Sequence, residues 1–289
     1  MNYSQLRAFH AVATHGTFTG AARDLHVTQP AVTAQVKALE SDHKVELFFR
    51  RSRGVELTET GRELMEITTR FFGVMEEADS LLESAGAEIR GTLRVAADGP
   101  FYAMGFLAGF KQRYPDVDLK VTIGNSDLVE QRLRNFEADV AVMARRGSED
   151  TFVTLACGCE PVVAFVSKDH PWAERETLAF KELEGVQMVR RERGSRTQQV
   201  FDEVCRKQGV SPHFMLELGS REAVREAVAY GLGVGVVALG EIGHDDRLHP
   251  LPFKDVDVAN DEYVVCMRTR ENSRMIRAFF EIAENSGES

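Results

Sequence analysis

The side chains between residues 28 and 53 that could make specific contacts are hydrogen-bonding groups and cations. The polar or small residues, with one lysine among them, are Thr28, Gln29, Pro30, Thr33 and Lys37. Glutamine can bind adenine through two hydrogen bonds in the major groove of DNA. A cluster of arginines follows at Arg50, Arg51 and Arg53, and such a cluster can hold phosphates. These residue types, in this order, predict contact with double-stranded DNA.

Loops in the second half of the chain combine glycine, hydroxyl and amide residues where helices are predicted to begin. The loops contain Asp98, Gly99, Pro100 and Phe101, then Asn125 and Ser126, then Ser195, Arg196 and Thr197, with Ser220 as a weaker candidate. Helix N-termini present unpaired N–H groups, which together with hydroxyls and an arginine suit an anion. The loops therefore predict a site for a small carboxylate, phosphonate or sulfonate. The alternative is that Ser126 and Ser195 only cap helices and that the arginines are solvated.

No residue set for covalent catalysis or metal binding stands out. The eight histidines are scattered without metal spacing, and there is neither a nucleophile elbow nor a phosphate loop. Gly231, Gly233 and Gly235 have the wrong spacing for a dinucleotide fingerprint. The cysteines form neither a disulfide framework nor a zinc motif, and they are expected to be buried apolar residues, with redox sensing as the alternative: Cys157, Cys159, Cys205 and Cys266. We expect no metal, no cofactor and no enzymatic activity. The alternative functions are those of an enzyme and of an architectural DNA-binding protein.

Two short amphipathic helices would position the DNA-contacting residues. Apolar residues recur at helical spacing in two runs, Phe18, Ala21, Ala22 and Leu25, then Val32, Val36 and Leu39. Thr28 is placed to cap the second helix and Pro30 falls in its first turn, so this helix is predicted to begin at about Gln29. The pattern is that of a helix-turn-helix, whose second helix reads base edges with its N-terminal residues. Residues 45–57 then predict a two-stranded wing with a basic tip. The alternative is an ordinary three-helix bundle with a solvated basic loop.

The first 90 residues closely resemble the N-terminal module of LysR-type transcriptional regulators. The matching residues are Leu6, Phe9, 16–22, Leu25, 27–33, Val36, Leu39, Glu40, Leu47, Phe48 and 57–61. One departure is 41–44, where the family usually carries an acidic pair, a small residue and glycine before the wing. The resemblance implies a winged helix-turn-helix, a long dimerising linker helix and a C-terminal effector-binding domain like periplasmic binding proteins, in a homotetramer.

A long helix is predicted to follow the wing. Its apolar residues keep a 3.5-residue period at Leu64, Ile67, Phe71, Val74, Ala78, Leu81 and Ala85. That period is typical of a coiled-coil seam, because it keeps one stripe facing a partner helix. We therefore expect residues 59–90 to form a dimerising linker helix and hinge, with packing on its own domain as the alternative.

The remainder of the chain alternates strands and helices, which predicts α/β architecture with mostly parallel sheets. Strands are expected at 92–97, 117–123, 139–144, 152–167, 186–190, 214–218, 234–238 and 262–268, and helices at 101–114, 126–135, 196–208, 221–230 and 274–283. The strand at 152–167 is expected to be interrupted at 157–161, where the chain first crosses into a second lobe. Lobe I would comprise about 91–160 and 267–289, and lobe II about 161–266. Ligands in such folds bind beyond the carboxyl ends of strands, here between the lobes.

Charge and composition agree with this organisation. The net charge of −10 divides into +2 for residues 1–58 and −12 for the remainder, so cations are concentrated where DNA contact is predicted, whereas the acidic remainder disfavours indiscriminate DNA coating. No apolar run is long enough for a membrane span, and the protein is expected to be soluble and cytoplasmic. The predicted fold class is α+β multidomain: a winged helix-turn-helix domain at 1–58, the linker helix, and a two-lobed α/β domain of periplasmic-binding-protein type at 91–289. The expected partners are a double-stranded DNA operator, a small-molecule effector and further copies of the chain as a homodimer or homotetramer.

Overall fold

The computed structural model describes residues 1–50, 54–83 and 89–286, with side chains described except at 50, 76, 77 and 79–83. The chain divides into two compact units, one of residues 1–80 and one of residues 81–134 and 138–289, with 135–137 grouped with the first. No helix in these described ranges has the length and apolar character needed to cross a membrane.

The N-terminal unit begins as a helical bundle with a small hairpin. Its elements are α1 (Tyr3–His15), α2 (Phe18–Asp24), α3 (Gln29–His43), β1 (Phe48–Arg50), β2 (Val55–Leu57) and α4 (Glu59–Glu83). The buried core is formed by the apolar faces predicted from periodicity together with α1, including Phe9, Val12, Ala21, Val32, Val36 and Leu39. Helix α3 begins at Gln29, as the sequence predicts. The apolar spacing thus places the two helix-turn-helix elements correctly.

The wing is a short antiparallel hairpin. Strands β1 and β2 pair Phe48 with Leu57 and Arg50 with Val55. Gly54 has a left-handed φ of 87°, and a Cβ at this position would lie 2.5 Å from the carbonyl oxygen of Gly16. Because L side chains rarely adopt that conformation, glycine is required at the end of the hairpin turn. Arg51 and Arg53 lie outside the described residues.

Helix α4 packs one side against α1 and leaves another side exposed. The Tyr3 and Phe72 rings meet at 5.8 Å, and His10 Nδ1 lies 3.0 Å from the Thr68 hydroxyl. The predicted seam lies on the other side, where the side chains of Ile67, Phe71 and Val74 are 52%, 39% and 52% exposed. Ala78 is also exposed and Leu64 is half-buried, whereas the Leu81 side chain and Ala85 lie outside the described part. The helix therefore has both a face for its own domain and an apolar seam in contact with solvent.

The first lobe of the second unit is an α/β layer. Its elements are β3 (Gly91–Ala97), α5 (Pro100–Arg113), β4 (Val117–Ile123), α6 (Ser126–Arg134), β5 (Val140–Met143) and, near the end of the chain, β11 (Ala259–Met267) and α9 (Arg274–Ser286). The sheet runs in the order β4, β3, β5, β11 and then β6 (Phe152–Ser167). Its core lies between this sheet and the pair α5 and α9, around Phe106, Phe110 and Phe279.

Strand β6 carries the chain into the second lobe without the predicted interruption. Residues 152–161 pair with β11, and residues 162–167 pair with lobe II strands. The strand is continuous through Gly158, where a Cβ would lie 2.4 Å from the Tyr102 ring, so this glycine permits close packing. Cys157 has no partner residue, because Glu262 pairs with Gly158 and Tyr263 pairs with Ala156. The predicted interruption at 157–161 is therefore a bulge at Cys157 and not a break, and the crossing occurs there.

The second lobe has its own sheet and core. Its elements are β7 (Gln187–Arg191), α7 (Arg196–Gln208), β8 (His213–Leu218), α8 (Arg221–Ala229), β9 (Gly235–Ala238) and β10 (Leu248–Leu251). The sequence did not predict β10, which pairs with β6. Buried side chains of lobe II include Phe180, Phe201 and Val258.

Strand pairing corrects the predicted end of lobe II and the predicted type of the sheets. Residues Tyr263, Val264 and Val265 pair with β5, so lobe II ends at about residue 258 and not at 266. The sheets are mixed: β3 runs parallel to β4 and β5, and β7 runs parallel to β8. Strands β6 and β11 run antiparallel to their neighbours because they are the crossings between lobes. The prediction of mostly parallel sheets is wrong for this reason.

Candidate DNA-binding and effector-binding sites

The outer face of α3 presents the predicted polar residues to solvent. Thr28, Gln29, Pro30 and Lys37 are exposed and Thr33 is half-buried. Thr28 occupies the N-cap position in an extended conformation, but its side chain makes no capping hydrogen bond. The predicted capping bond is thus wrong, and the Thr28 hydroxyl at the start of the helix is not used for capping. Such a face is small, polar and uncharged at its N-terminal end, which suits contact with base edges.

Two further details define this face. The Thr33 hydroxyl donates to the carbonyl oxygen of Gln29 at 2.9 Å, so its donor is engaged while its lone pairs can still accept. Ala31 and Ala34 are exposed beside it, and their small size allows close approach of a groove wall. Of the predicted phosphate-binding arginines, Arg50 ends β1.

A cleft between the two lobes brings most of the predicted effector residues together. It measures about 280 Å³ with the space at its mouth, and its lining residues are Asp98, Asn125, Ser126, Ala144, Arg191, Ser195, Arg196, Thr197, Arg221, Glu241, Asn260 and Glu262. Gly99, Pro100, Phe101 and Ser220 do not line it. Gly99 and Ser220 are the N-caps of α5 and α8, and Pro100 is the first residue of α5. The cleft is thus built from the N-termini of α6, α7 and α8 and from β11.

Asn125, and not Ser126, caps α6. Asn125 Oδ1 accepts from the N–H of Leu128 at 2.9 Å, and its Nδ2 donates to Glu192 Oε1 of lobe II at 2.9 Å. The Ser126 hydroxyl donates to Asp98 Oδ2. The alternative in which Ser126 is only a cap is therefore wrong, and its hydroxyl is held by a carboxyl at the cleft wall.

The lobe II side of the cleft is formed by the start of α7. Ser195 is the N-cap, and its hydroxyl oxygen accepts from the N–H of Gln198 at 3.5 Å. The Thr197 hydroxyl oxygen accepts from Asn260 Nδ2 at 2.9 Å. Arg196 Nη1 lies 3.3 Å from Glu203 Oε1 of the same helix. Ser195 is a cap, as the alternative held, but it is buried at the cleft and its long capping bond leaves it able to contact a ligand.

Apart from Asp98 and Arg196, the sequence did not single out the charged groups that line the cleft. Arg221 Nη2 lies 2.6 Å from Glu241 Oε2 and donates to the carbonyl oxygen of Asp98 at 3.0 Å, which joins the lobes. Arg191 donates to both oxygens of Glu192 at 2.8 Å. The arginines had a sequence signal, since Arg221 follows Ser220 at a helix start and Arg191 precedes the loop at 193–197. Glu192, Glu241 and Glu262 had none, because their proximity depends on the fold.

Burial and mutual repulsion perturb the carboxyls of this cleft. Burial raises the pKa of Glu262 to about 9, and the nearby charges of Asp98 and Glu241 add to the rise. Burial also raises the pKa of Glu241 to about 7, although Arg221 opposes it. The pKa of Asp98 is raised by burial as well, against the hydrogen bonds from Ser126 and Ala144. A neutral carboxyl is both a donor and an acceptor, so this wall recognises hydrogen-bonding groups more than charge.

The cysteines and metal-ligand residue types do not form a further site in the described ranges. Cys157, Cys205 and Cys266 are buried, but Cys159 is exposed, so the expectation that all are buried is wrong for Cys159. Burial, with the Asp261 carboxylate beside it, raises the pKa of Cys159, which disfavours the reactive thiolate. The described residues contain no His, Cys, Asp and Glu group arranged to hold a metal ion.

Two family models match the chain. Residues 3–62 match the bacterial regulatory helix-turn-helix protein of the lysR family, and residues 86–287 match the LysR substrate binding domain. The RuBisCO operon transcriptional regulator of Allochromatium vinosum is 32% identical over 282 residues, which cover 96% of this chain and 93% of that protein.

Solved structures share the fold. Full-length CbnR, in a complex with its target DNA, has a TM-score of 0.74 and 21% identity, covering 99% of this chain and 100% of that chain. The regulatory domain of Synechocystis CcmR, in complex with 2-PG, has a TM-score of 0.64 and 23% identity, covering 69% of this chain and 99% of that chain. At these identities the likeness concerns the fold alone.

Proposed function

The chain belongs to the LysR family of transcriptional regulators, and on that premise we propose which residues contact DNA and which contact the effector. The protein is a DNA-binding regulator controlled by a small molecule, and not an enzyme. Its domains are the winged helix-turn-helix at 1–58, the linker helix at 59–90 and the effector-binding domain from 91 onward.

Helix α3 reads the operator. Gln29 and Thr33 contact base edges, Thr28 and Pro30 bring the helix N-terminus into the major groove, and Lys37 contacts the backbone. The exposure of this uncharged N-terminal face supports the assignment, because direct readout needs side chains that reach base edges without bulk. Arg50, Arg51 and Arg53 of the wing hold phosphates, which fixes the register of the helix on the duplex.

Helix α4 joins two chains. Its exposed seam at Ile67, Phe71 and Val74 supports this, because an apolar stripe with a 3.5-residue period is buried by a second helix of the same kind. The assembly is a homodimer or homotetramer.

The effector is a small anion bound between the lobes. The observation that carries this proposal is the convergence of helix N-termini from both lobes on one cleft, with Ser126 and Ser195 buried there. Aligned N–H groups concentrate partial positive charge on that point, and Arg191, Arg196 and Arg221 lie in the same wall. An anion that bridges the lobes stabilises the closed domain. Closure would alter the packing of dimers and with it the spacing or bending of the bound operator.

Titration of the full-length protein tests the anion cleft. We expect at least one small carboxylate, phosphonate or sulfonate to bind, and Ser195→Ala to weaken that binding by about 1–3 kcal/mol, because a hydroxyl buried against a charge is lost. Thr17→Ala is the matched control, since Thr17 caps α2 in the N-terminal unit and its loss should leave ligand affinity unchanged. Equal affinities for wild type and Ser195→Ala, or binding of strictly neutral apolar ligands alone, would exclude the anion cleft without affecting the DNA assignment.

A further inference from the structure

One side chain of the cleft wall is buried with a hydrogen-bonding atom unused. Asn260 is 2% exposed and lies in the cleft lining. Its Nδ2 donates to Thr197 Oγ1 at 2.9 Å, whereas its Oδ1 is buried without a hydrogen-bond partner in the described part of the chain. An unused buried acceptor destabilises the folded protein unless something satisfies it. A ligand in the cleft that carries a donor would do so.

Three carboxyls lie in the cleft lining with Asn260. Glu262 lies two residues further along β11 and therefore on the same face of the strand, and it is 9% exposed. Asp98 and Glu241 complete this wall, which we call the acceptor wall: Asp98, Glu241, Asn260 and Glu262. Because burial keeps Glu262 neutral at pH 7, with a pKa of about 9, this carboxyl does not repel an anion, and the Asn260 Oδ1 atom beside it still requires a donor.

The same cleft is also lined by Arg191, Arg196 and Arg221 and by the hydroxyls at the start of α7. The two sets are in contact, because Arg221 pairs with Glu241 and Thr197 accepts from Asn260. An anion with only an apolar remainder would contact these cations and would leave the Asn260 Oδ1 atom without a donor. The ligand that fits the cleft therefore has an anionic group and a donor group.

We propose that the effector is a small anion that also carries a hydrogen-bond donor, a hydroxyl or ammonium group, bound against the Asn260 Oδ1 atom. The proposal rests on the anion cleft described above and specifies its ligand further.

The test uses matched ligands that differ in one substituent, titrated calorimetrically into the full-length protein. The three series are propionate, lactate and alanine; succinate, malate and aspartate; and ethylphosphonate, 2-hydroxyethylphosphonate and 2-aminoethylphosphonate. In at least one series, the hydroxyl or ammonium member should bind roughly tenfold more tightly than the unsubstituted member, which is the effect of one buried hydrogen bond.

The Asn260→Leu variant locates the contact. It should abolish that difference within the series. Asn285→Leu is the matched control, because Asn285 is exposed on α9 and donates only to the Glu281 carbonyl oxygen; it should keep the difference.

Calorimetry in buffers of different ionisation enthalpy distinguishes an ammonium donor from a hydroxyl donor. An ammonium group beside Glu262 should release a proton on binding, whereas a hydroxyl should release none.

Two outcomes overturn the proposal and are distinguishable. Unsubstituted anions that bind as tightly as their hydroxyl and ammonium partners, or a difference that survives in Asn260→Leu, would refute the donor requirement and leave the anion cleft intact. Binding of none of the nine ligands would contradict the anion cleft itself.

Discussion

At the level of single residues, buried carboxyls determine how the cleft responds to pH. Glu241 and Glu262 lie close to Asp98, and burial raises the pKa of each. Gly99 permits this proximity, because a Cβ there would lie only 1.7 Å from Glu241 Oε1. A side chain at position 99 would displace Glu241 from its ion pair with Arg221. Arg221 links the lobes through its hydrogen bond to the carbonyl oxygen of Asp98.

Glu262 should make the effector domain less stable as the pH rises. Its pKa is raised from 4.5 to about 9, so the folded state holds a proton that the unfolded state releases. The stabilising contribution is complete below pH 4.5 and is lost as the pH rises through about 9. Glu262→Gln keeps a neutral side chain and should flatten the fall in melting temperature between pH 6 and pH 9. Glu284→Gln, at an exposed position on α9, is the control, and an unchanged pH slope in Glu262→Gln would show that Glu262 is ionised in the fold.

The residues of the cleft were only partly predictable. Loops that precede helices carry a local signal, and this signal identified Asp98, Asn125, Ser126, Ser195 and Thr197 as neighbours of one site. Glu241 and Glu262 carry no such signal, since a carboxyl in a sequence is normally solvated. The pairing of β11 with β6, which joins residues about a hundred positions apart, brings Glu262 into the cleft, and Glu241 lies there beside Gly99 and Arg221.

At the level of elements, α4 is the proposed dimerisation helix. Its seam is exposed in the single chain at Ile67, Phe71 and Val74. Ile67→Asp should lower the assembly mass measured by light scattering at micromolar protein, because it places a charge in an apolar interface. It should also weaken binding to an operator with two half-sites. Arg70→Asp is the matched control, since it adds the same carboxylate at an exposed position outside the seam. An unchanged mass for Ile67→Asp would mean that the seam is not an interface.

Periodicity predicted most elements of this chain and failed where tertiary contacts override it. Helix α7 at Arg196–Gln208 and strand β4 at Val117–Ile123 have the predicted bounds. The break predicted within β6 is absent because Gly158 faces the Tyr102 ring. The irregularity in β6 is a bulge at Cys157, which has no partner residue because Glu262 pairs with Gly158 and Tyr263 pairs with Ala156. A glycine in a strand thus indicated close packing and not a turn.

At the level of the whole molecule, the DNA-binding domain and the rest of the chain differ in net charge. Residues 1–58 have a net charge of +2 within a chain of net charge −10. An acidic body lowers affinity for random DNA, so binding depends on contacts made by α3 and the wing. In the proposed mechanism, the effector-binding domain controls those contacts through the assembly of chains.

The measurement that tests the account most directly is the base preference of α3. Duplexes selected from a random pool by the wild-type full-length protein define its operator, and affinities for selected and random duplexes are then compared between variants. Gln29→Ala should lose about 1–3 kcal/mol of discrimination at one base step, because a bidentate contact is removed. Lys37→Ala should weaken binding to selected and random duplexes alike and should reduce the salt dependence of that binding. Equal losses on selected and random DNA for Gln29→Ala would contradict base reading by α3.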